Sequence, residues 1–334
     1  MNARQLFDEY FIRGNRRIER MPMIEYAPYW DLTIEAWHEQ GIDPTMDPDR
    51  VQKYMGLDPL WYTSVDPTDE GFPYPATHGG SVINSEEDYE KILSCIYPKK
   101  PIEKIMDFVL SHKEESDRGE FMFELNLNGF FWWPRTLFGI ENHLFSFYDE
   151  PELYHRICKD LLEYNIRVVK EFLQYASPAF IILGEDLSYN HGSMISKKIW
   201  DEFLRPYYIE FLAEMKKLNQ TVIFDSDGRI DDIIDWVVES GFDGILPLER
   251  MAGVDVDQLT QKYPDFKFIG GFDKTVMKFG EAVMRKEFER ILPAIKRGNY
   301  LPCVDHQTPP DVSVENYKVY INLLHEYALK AVEK

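Results

Sequence analysis

Thr221-Val222-Ile223-Phe224-Asp225-Ser226-Asp227-Gly228, TVIFDSDG, runs from an apolar stretch straight into two carboxylates. Side chains two apart in a strand share a face, so Asp225 and Asp227 point the same way, a few ångströms from one another. The pattern recurs through the second half of the chain. Short apolar runs at Ala179–Gly184, Thr221–Phe224, Gly244–Pro247, Phe266–Gly270 and Tyr300–Val304 are each followed by a longer segment of helical period. That is the cadence of a parallel sheet with helices between its strands.

The helical segments, Ser196–Asn219, Ile230–Ser240, Val254–Lys262, Glu281–Arg297 and Ser313–Val332, space their apolar residues three and four apart. Ser85 followed by Asp88 reads as a capping box with Asp in place of Glu, and Gly241 suits a helix C-terminus. In the less regular first half, Met23–Ala27, Leu60–Ser64 and Met122–Asn126 read as strands. With the five later runs they make eight, which predicts a (β/α)8 TIM barrel, α/β in class, with N-terminal insertions. No Gly/Ser-rich or Pro-rich linker divides residues 1–334, so one domain is expected. An open doubly wound sheet is the runner-up, but no GxGxxG or GxxxxGK loop follows any strand.

The 334 residues are 44% hydrophobic, ample for a large core. Against 58 Asp plus Glu stand 37 Lys plus Arg, a formal charge of −21 that opposes nucleic acid and anionic membrane surfaces as partners. The charged N-terminus has no apolar core of a signal peptide, and no run reaches membrane-spanning length. Cys95, Cys158 and Cys303 are few, odd in number and widely spaced, which argues for a reducing compartment and predicts a cytoplasmic protein.

In such barrels the chemistry sits at the carboxyl ends of the strands. Here those ends are ionisable: Glu185 and Asp186, Asp225 and Asp227, Glu249 and Arg250, Asp273 and Lys274, Asp305 and His306. Singly, each Asp reads as an N-cap and the His as a structural residue. Together they converge on one mouth, where crowded carboxylates hold a proton, a metal or a positive substrate group. Asp225, Asp227 and His306 are candidate ligands of a divalent metal, zinc or a harder ion, or members of an acid/base set, or hydrogen-bonding partners of pyrrole-like N–H groups. Glu185, Asp186, Glu249 and Asp273 join them as candidate catalytic groups. Asp305 and His306 are adjacent and face the same pocket only if the strand has already ended, so one of them is a candidate supporting partner. Tyr26, Asn126, Trp132, His191, Lys274 and Asp305 are candidate substrate contacts, although the aromatic runs serve core packing at roughly even odds.

The motifs YMGLD at 54–58, LFGIENHLFSFYDEPEL at 137–153, GEDLSYNHGSMISKKIWDEFLRPYY at 184–208, FDSDGRIDDII at 224–234, GFDGILPLE at 241–249, GGFDK at 270–274 and DHQTPPDVSVENY at 305–317 carry a resemblance. Through them the chain resembles the uroporphyrinogen decarboxylase-like superfamily over nearly its whole length, and within it the cobalamin-dependent methyltransferase-like branch. The arginine-rich RQAGR-type substrate motif of true uroporphyrinogen decarboxylases is missing, and the region reads MPMIEYAPYWDL. The His-x-Cys-Gly zinc motif of the methyltransferases matches Asp225-Ser226-Asp227-Gly228, and their final zinc-binding cysteine falls at His306. Thiolates have given way to harder donors.

The resemblance implies an enzyme that moves a methyl group from a small methylated substrate to a corrinoid, carried as a cofactor by a separate corrinoid protein. Two alternatives stand beside it. One is a decarboxylase or lyase of a small carboxylic acid or tetrapyrrole-related compound, with Lys274 or Arg250 holding the carboxylate. The other is a corrinoid- or tetrapyrrole-binding protein without catalysis.

Overall fold

Runs such as Phe180-Ile181-Ile182-Leu183 and Val222-Ile223-Phe224 are apolar on both faces, so they are stable only where both faces are covered, as in a parallel sheet wrapped by helices. The computed structural model describes every residue except Pro28, Asp47 and Lys334, and only the backbone of Pro48 and Asp49. Its strands are β1 (Leu60–Val65), β2 (Met122–Asn128), β3 (Phe180–Gly184), β4 (Ser188–Tyr189), β5 (Gly192–Ser193), β6 (Val222–Asp225), β7 (Gly244–Leu246), β8 (Lys267–Phe272) and β9 (Tyr300–Val304). β4 and β5 form a small antiparallel hairpin; the others make one parallel sheet in the order β1-β2-β3-β6-β7-β8-β9. Strand order follows chain order with no reversal. A doubly wound sheet reverses at its switch point, so the runner-up falls and the sheet curls as a TIM-type barrel.

Seven of the eight expected strands enter the ladder. Met23–Ala27 does not. Residues 21–26 are buried outside the ladder, held by two backbone bonds, from the Asp58 amide to the Met23 carbonyl at 2.8 Å and from the Met21 amide to the Ala328 carbonyl at 3.0 Å, and otherwise by side chains. Asp58 Oδ2 accepts the Met23 amide at 2.8 Å, and Glu25 Oε2 accepts the Val304 amide of β9 at 3.1 Å. Pro22 has no amide to give, and carboxylates take the places of the missing rungs. Asp58 is itself clamped by Arg20 through two contacts of 2.7 Å.

The helices follow the expected periods with local departures. The Ser196–Asn219 pattern becomes Lys197–Ile199, a π-turn at Trp200–Leu204 and a helix at Arg205–Lys217. Pro206 cannot donate to the helical ladder, and the widened turn lies just before it. Ser85 Oγ accepts the Asp88 amide at 3.3 Å, but Asp88 reaches back to the amide of Asn84 at 3.2 Å, so only half of the expected box forms. Gly241, at φ +97°, ends Ile234–Ser240 in the left-handed region that glycine tolerates. The long helix Pro151–Phe172 and the last, Val314–Lys330, bury tyrosines and aliphatic residues against the barrel wall. Among the described residues no helix is long and apolar enough to cross a membrane.

Candidate functional site

Strand register builds the rim of the barrel. Asn128 of β2 pairs with Gly184 of β3, Gly184 with Asp225 of β6, and Asp225 with Leu246 of β7, so these positions form one layer at the carboxyl ends. Gly184 contributes no side chain to that layer, and a cavity of about 360 Å³ opens there, lined by Tyr62, Asn126, Trp132, Asp186, Asp225 and Asp227 among others. This is the small end of the usual range for ligand cavities. A second hollow of about 580 Å³ adjoins it through Ser64 and Asp66.

The alternation read from TVIFDSDG survives past the strand end. Asp225 and Asp227 both line the cavity, while Ser226 turns away, buried, its Oγ accepting the Leu187 and Ser188 amides at 3.0 Å each. That serine ties the loop after β3 to the loop after β6. Burial, then the charges of Asp227, Asp186 and Glu185, pushes the Asp225 carboxyl well above the usual carboxylate range. Burial followed by the charge of Glu249 lifts Asp227 to about 7. The His306 ring lies 3.6 Å from Asp227 Oδ2, and burial with the Lys274 charge lowers its pKa.

A second group fixes the loops after β7 and β8. Asp305 is wholly buried; its oxygens accept the Arg250 amide at 2.9 Å and the Lys274 amide at 3.2 Å. Burial lifts it to about 6 against the pull of Lys274. The Lys274 ammonium lies 3.7 Å from Asp305 and 3.4 Å from Glu249, whose other oxygen accepts the Gly228 amide at 2.9 Å. Lys274 is therefore a counter-ion within the mouth. The strand ends at Val304, and past it Asp305 is buried while His306 is partly exposed.

Glu185 is also wholly buried. Oε1 accepts the Phe130 amide and the Tyr208 hydroxyl, each at 2.7 Å; Oε2 accepts the Phe131 amide at 2.7 Å and the Trp132 amide at 3.1 Å. Burial raises it to about 7 while these donors pull it down. A side chain on Gly129 would collide with this carboxyl group, so glycine leaves the space that Glu185 fills. Asp186, at φ +44°, pairs with Arg135 at 3.1 Å.

Of the other expected contacts, Asn126 and Trp132 line the cavity, and Tyr26 is buried close enough to feel the charges of Asp225, Asp227 and Asp305. Trp132 alone of Phe130–Trp133 does so; its three neighbours are core residues. Asp273 lies apart from the cavity lining and caps the turn after β8, accepting the Thr275 amide at 2.9 Å. His191 sits exposed at the tip of the β4–β5 hairpin, outside the lining.

Sequence reasoning missed Glu124, Asn128 and Arg135. The signal was present in MFELNLN at 122–128, where alternation sets Glu124, Asn126 and Asn128 on one face of an otherwise apolar strand. Glu124 is fully buried, its pKa pushed well up by that burial.

As candidate metal ligands, Asp225, Asp227 and His306 do not converge: among the described residues no three His, Cys, Asp or Glu side chains come close enough to share one ion. The arrangement as it stands is a set of partly protonated carboxyl groups around a small chamber. Such a chamber at the carboxyl end of a parallel barrel is the layout of a barrel enzyme. The chain belongs to the uroporphyrinogen decarboxylase (URO-D) family, whose model matches residues 133–327.

No curated protein matches the chain. A methyltransferase from Methanosarcina mazei shares the fold with a TM-score of 0.68 at 11% identity, over 98% of this chain and 99% of its own. A structure from Listeria monocytogenes, provisionally named a vitamin-B12 independent methionine synthase, covers 93% of this chain and 96% of its own at 12% identity, with a TM-score of 0.49. At these identities the likeness is one of fold.

Proposed function

We propose that this chain is a cytoplasmic methyltransferase that passes a methyl group from a small methylated substrate to a corrinoid carried by a separate protein. The observation that carries the reading is the Asp225–Asp227 pair at the cavity wall, with Asp227 held at about 7. A methyl group leaves a nitrogen, oxygen or sulfur readily only when that atom bears positive charge, as a proton or as a fixed charge. Asp227, held at about 7, and Asp225, held by burial well above the usual carboxylate range, set a proton or a negative charge where the departing atom would lie. The carbon–heteroatom electron pair stays with the leaving group, and the corrinoid's reduced cobalt supplies the pair for the new bond.

A chamber of about 360 Å³ suits the methyl donor, and a macrocycle the size of a corrinoid meets it from outside. Glu185 and Asp305, whose oxygens are taken up by backbone amides, act as positioning residues for the loops. Tyr62, Asn126 and Trp132 shape the wall. The decarboxylase alternative needs a free cation for a carboxylate, but Lys274 is engaged by Glu249 and Asp305, and among the described residues no Lys or Arg lines the chamber.

The test is transfer to chemically reduced cobalamin, followed by its absorbance change, across amine, ether and thioether donors. Methylation by the wild type and loss of a hundredfold or more in Asp227→Asn are expected. No transfer from any donor, or carbon dioxide release from a small acid without cobalamin, refutes the reading.

A further inference from the structure

The ionisable side chains on the chamber walls are all acids. Asp66, Glu185, Asp186, Asp225 and Asp227 line it, and no Lys, Arg or His does. Most of these acids are already engaged. Glu185 takes three backbone amides and Tyr208, Asp186 pairs with Arg135, and Asp66 accepts the Thr68 amide. The Asp225 carboxyl meets no donor among the described residues, and Asp227 has only the edge of His306 at 3.6 Å.

A second observation lies beneath the floor. Glu124 stands two residues before Asn126 on the same face of β2, and Asn126 lines the chamber. Glu124 is 0% exposed; Oε1 accepts from the Asn126 side-chain amide at 3.2 Å, and Oε2 has no partner among the described residues. Burial holds this carboxyl in its neutral form, so it adds a polar, uncharged group behind the chamber floor, outside the lining. The acids are also spread around the walls instead of focused: among the described residues no three acidic, imidazole or thiol groups converge on one point. That suits a cation several ångströms across better than a bare metal ion. Tyr62 and Trp132 supply aromatic wall, of the kind that attracts methylated cations.

We propose that the chamber binds a small methylated ammonium ion, its charged nitrogen toward Asp225 and Asp227 and its methyl groups toward Tyr62 and Trp132. This deepens the methyl-transfer reading and rests on it for the fate of the methyl group; the binding itself stands without it. With such a donor the carbon–nitrogen pair neutralises the nitrogen as the methyl passes to the corrinoid nucleophile, and the amine departs uncharged.

The experiment is calorimetric titration of the full chain with choline chloride and with its neutral isostere 3,3-dimethylbutan-1-ol, at matched sodium chloride. Choline should bind at least tenfold more tightly than the alcohol. Asp225→Asn and Asp227→Asn, checked for wild-type circular dichroism, should each weaken choline tenfold or more and leave the alcohol unchanged. Equal affinity for the two probes in the wild type, or no binding of either, overturns the proposal, and this comparison decides even if a variant fails to fold. Cobalamin methylation from a neutral ether with no choline binding would sink this inference and leave the methyl-transfer reading standing. Choline binding without any methyl transfer would do the reverse.

Discussion

Substituting Gly129 by alanine tests the loop architecture at the rim. The new methyl group would overlap the Glu185 carboxyl, which must then leave its seat. Four hydrogen bonds go with it, three at 2.7 Å and one at 3.1 Å, from the amides of Phe130, Phe131 and Trp132 and the Tyr208 hydroxyl. Hydrogen bonds to a charged acceptor contribute about 1.5–3 kcal/mol each, and water entering from the chamber recovers part of the loss, so Gly129→Ala should cost about 3–6 kcal/mol. Glu185→Ala abolishes the same four bonds at a similar cost. The double variant has no overlap left to relieve, so it should be no less stable than Glu185→Ala alone. Its coupling energy should therefore be about 3 kcal/mol or more. Urea denaturation of the four proteins measures this cycle. Additive costs, or a Gly129→Ala variant as stable as the wild type, would refute the account of Glu185 as a latch.

Burial holds protons on Glu185 to about 7 against an ordinary 4.5, on Asp227 to about 7 and on Glu25 to about 8. The unfolded chain releases these protons at lower pH, so the stability they give is fully present below about pH 4 and is lost as pH rises from there through 7 to 8. Glu185 alone contributes on the order of 3 kcal/mol to this decline; a thermal midpoint that is flat or rising from pH 5.5 to 8 would contradict it. Lys274→Met removes the cation that restrains Asp227 and Asp305. The pH midpoint of activity governed by Asp227 should then move up by about one pH unit, and a fall would overturn the assignment of Lys274 as counter-ion. Asp58→Ala strips the clamp from Arg20 and Met23, and should lower stability by about 2–4 kcal/mol in urea.

The barrel was legible because its evidence is local: an apolar run such as IILG or VIF followed by a helical period needs no knowledge of distant contacts. Met23–Ala27 misled because its composition is that of a strand, while its hydrogen bonds depend on Asp58 and on Val304, far along the chain. At the site, alternation was enough to set Asp225 and Asp227 on one face, but adjacency left open which of Asp305 and His306 is the buried one. What the sequence could not tell was which acids are engaged. Glu185 reads like any acid at a strand end until the Phe130–Trp132 amides are seen to surround it, and Lys274 looks free until Glu249 and Asp305 flank it. Those facts depend on loop geometry, which no period encodes.

The segment held by Glu25 and Asp58 has a consequence for motion. Elsewhere the wall is joined by continuous ladders of backbone rungs that break only together, but along this seam one backbone bond from Asp58 to Met23 and two carboxylates hold the staves, and each can let go by itself. Breathing of the molecule should begin there, beside the Val304 amide and two residues from His306, so faster hydrogen exchange at these amides than in the ladder would show the hinge side of the vessel next to its chemistry.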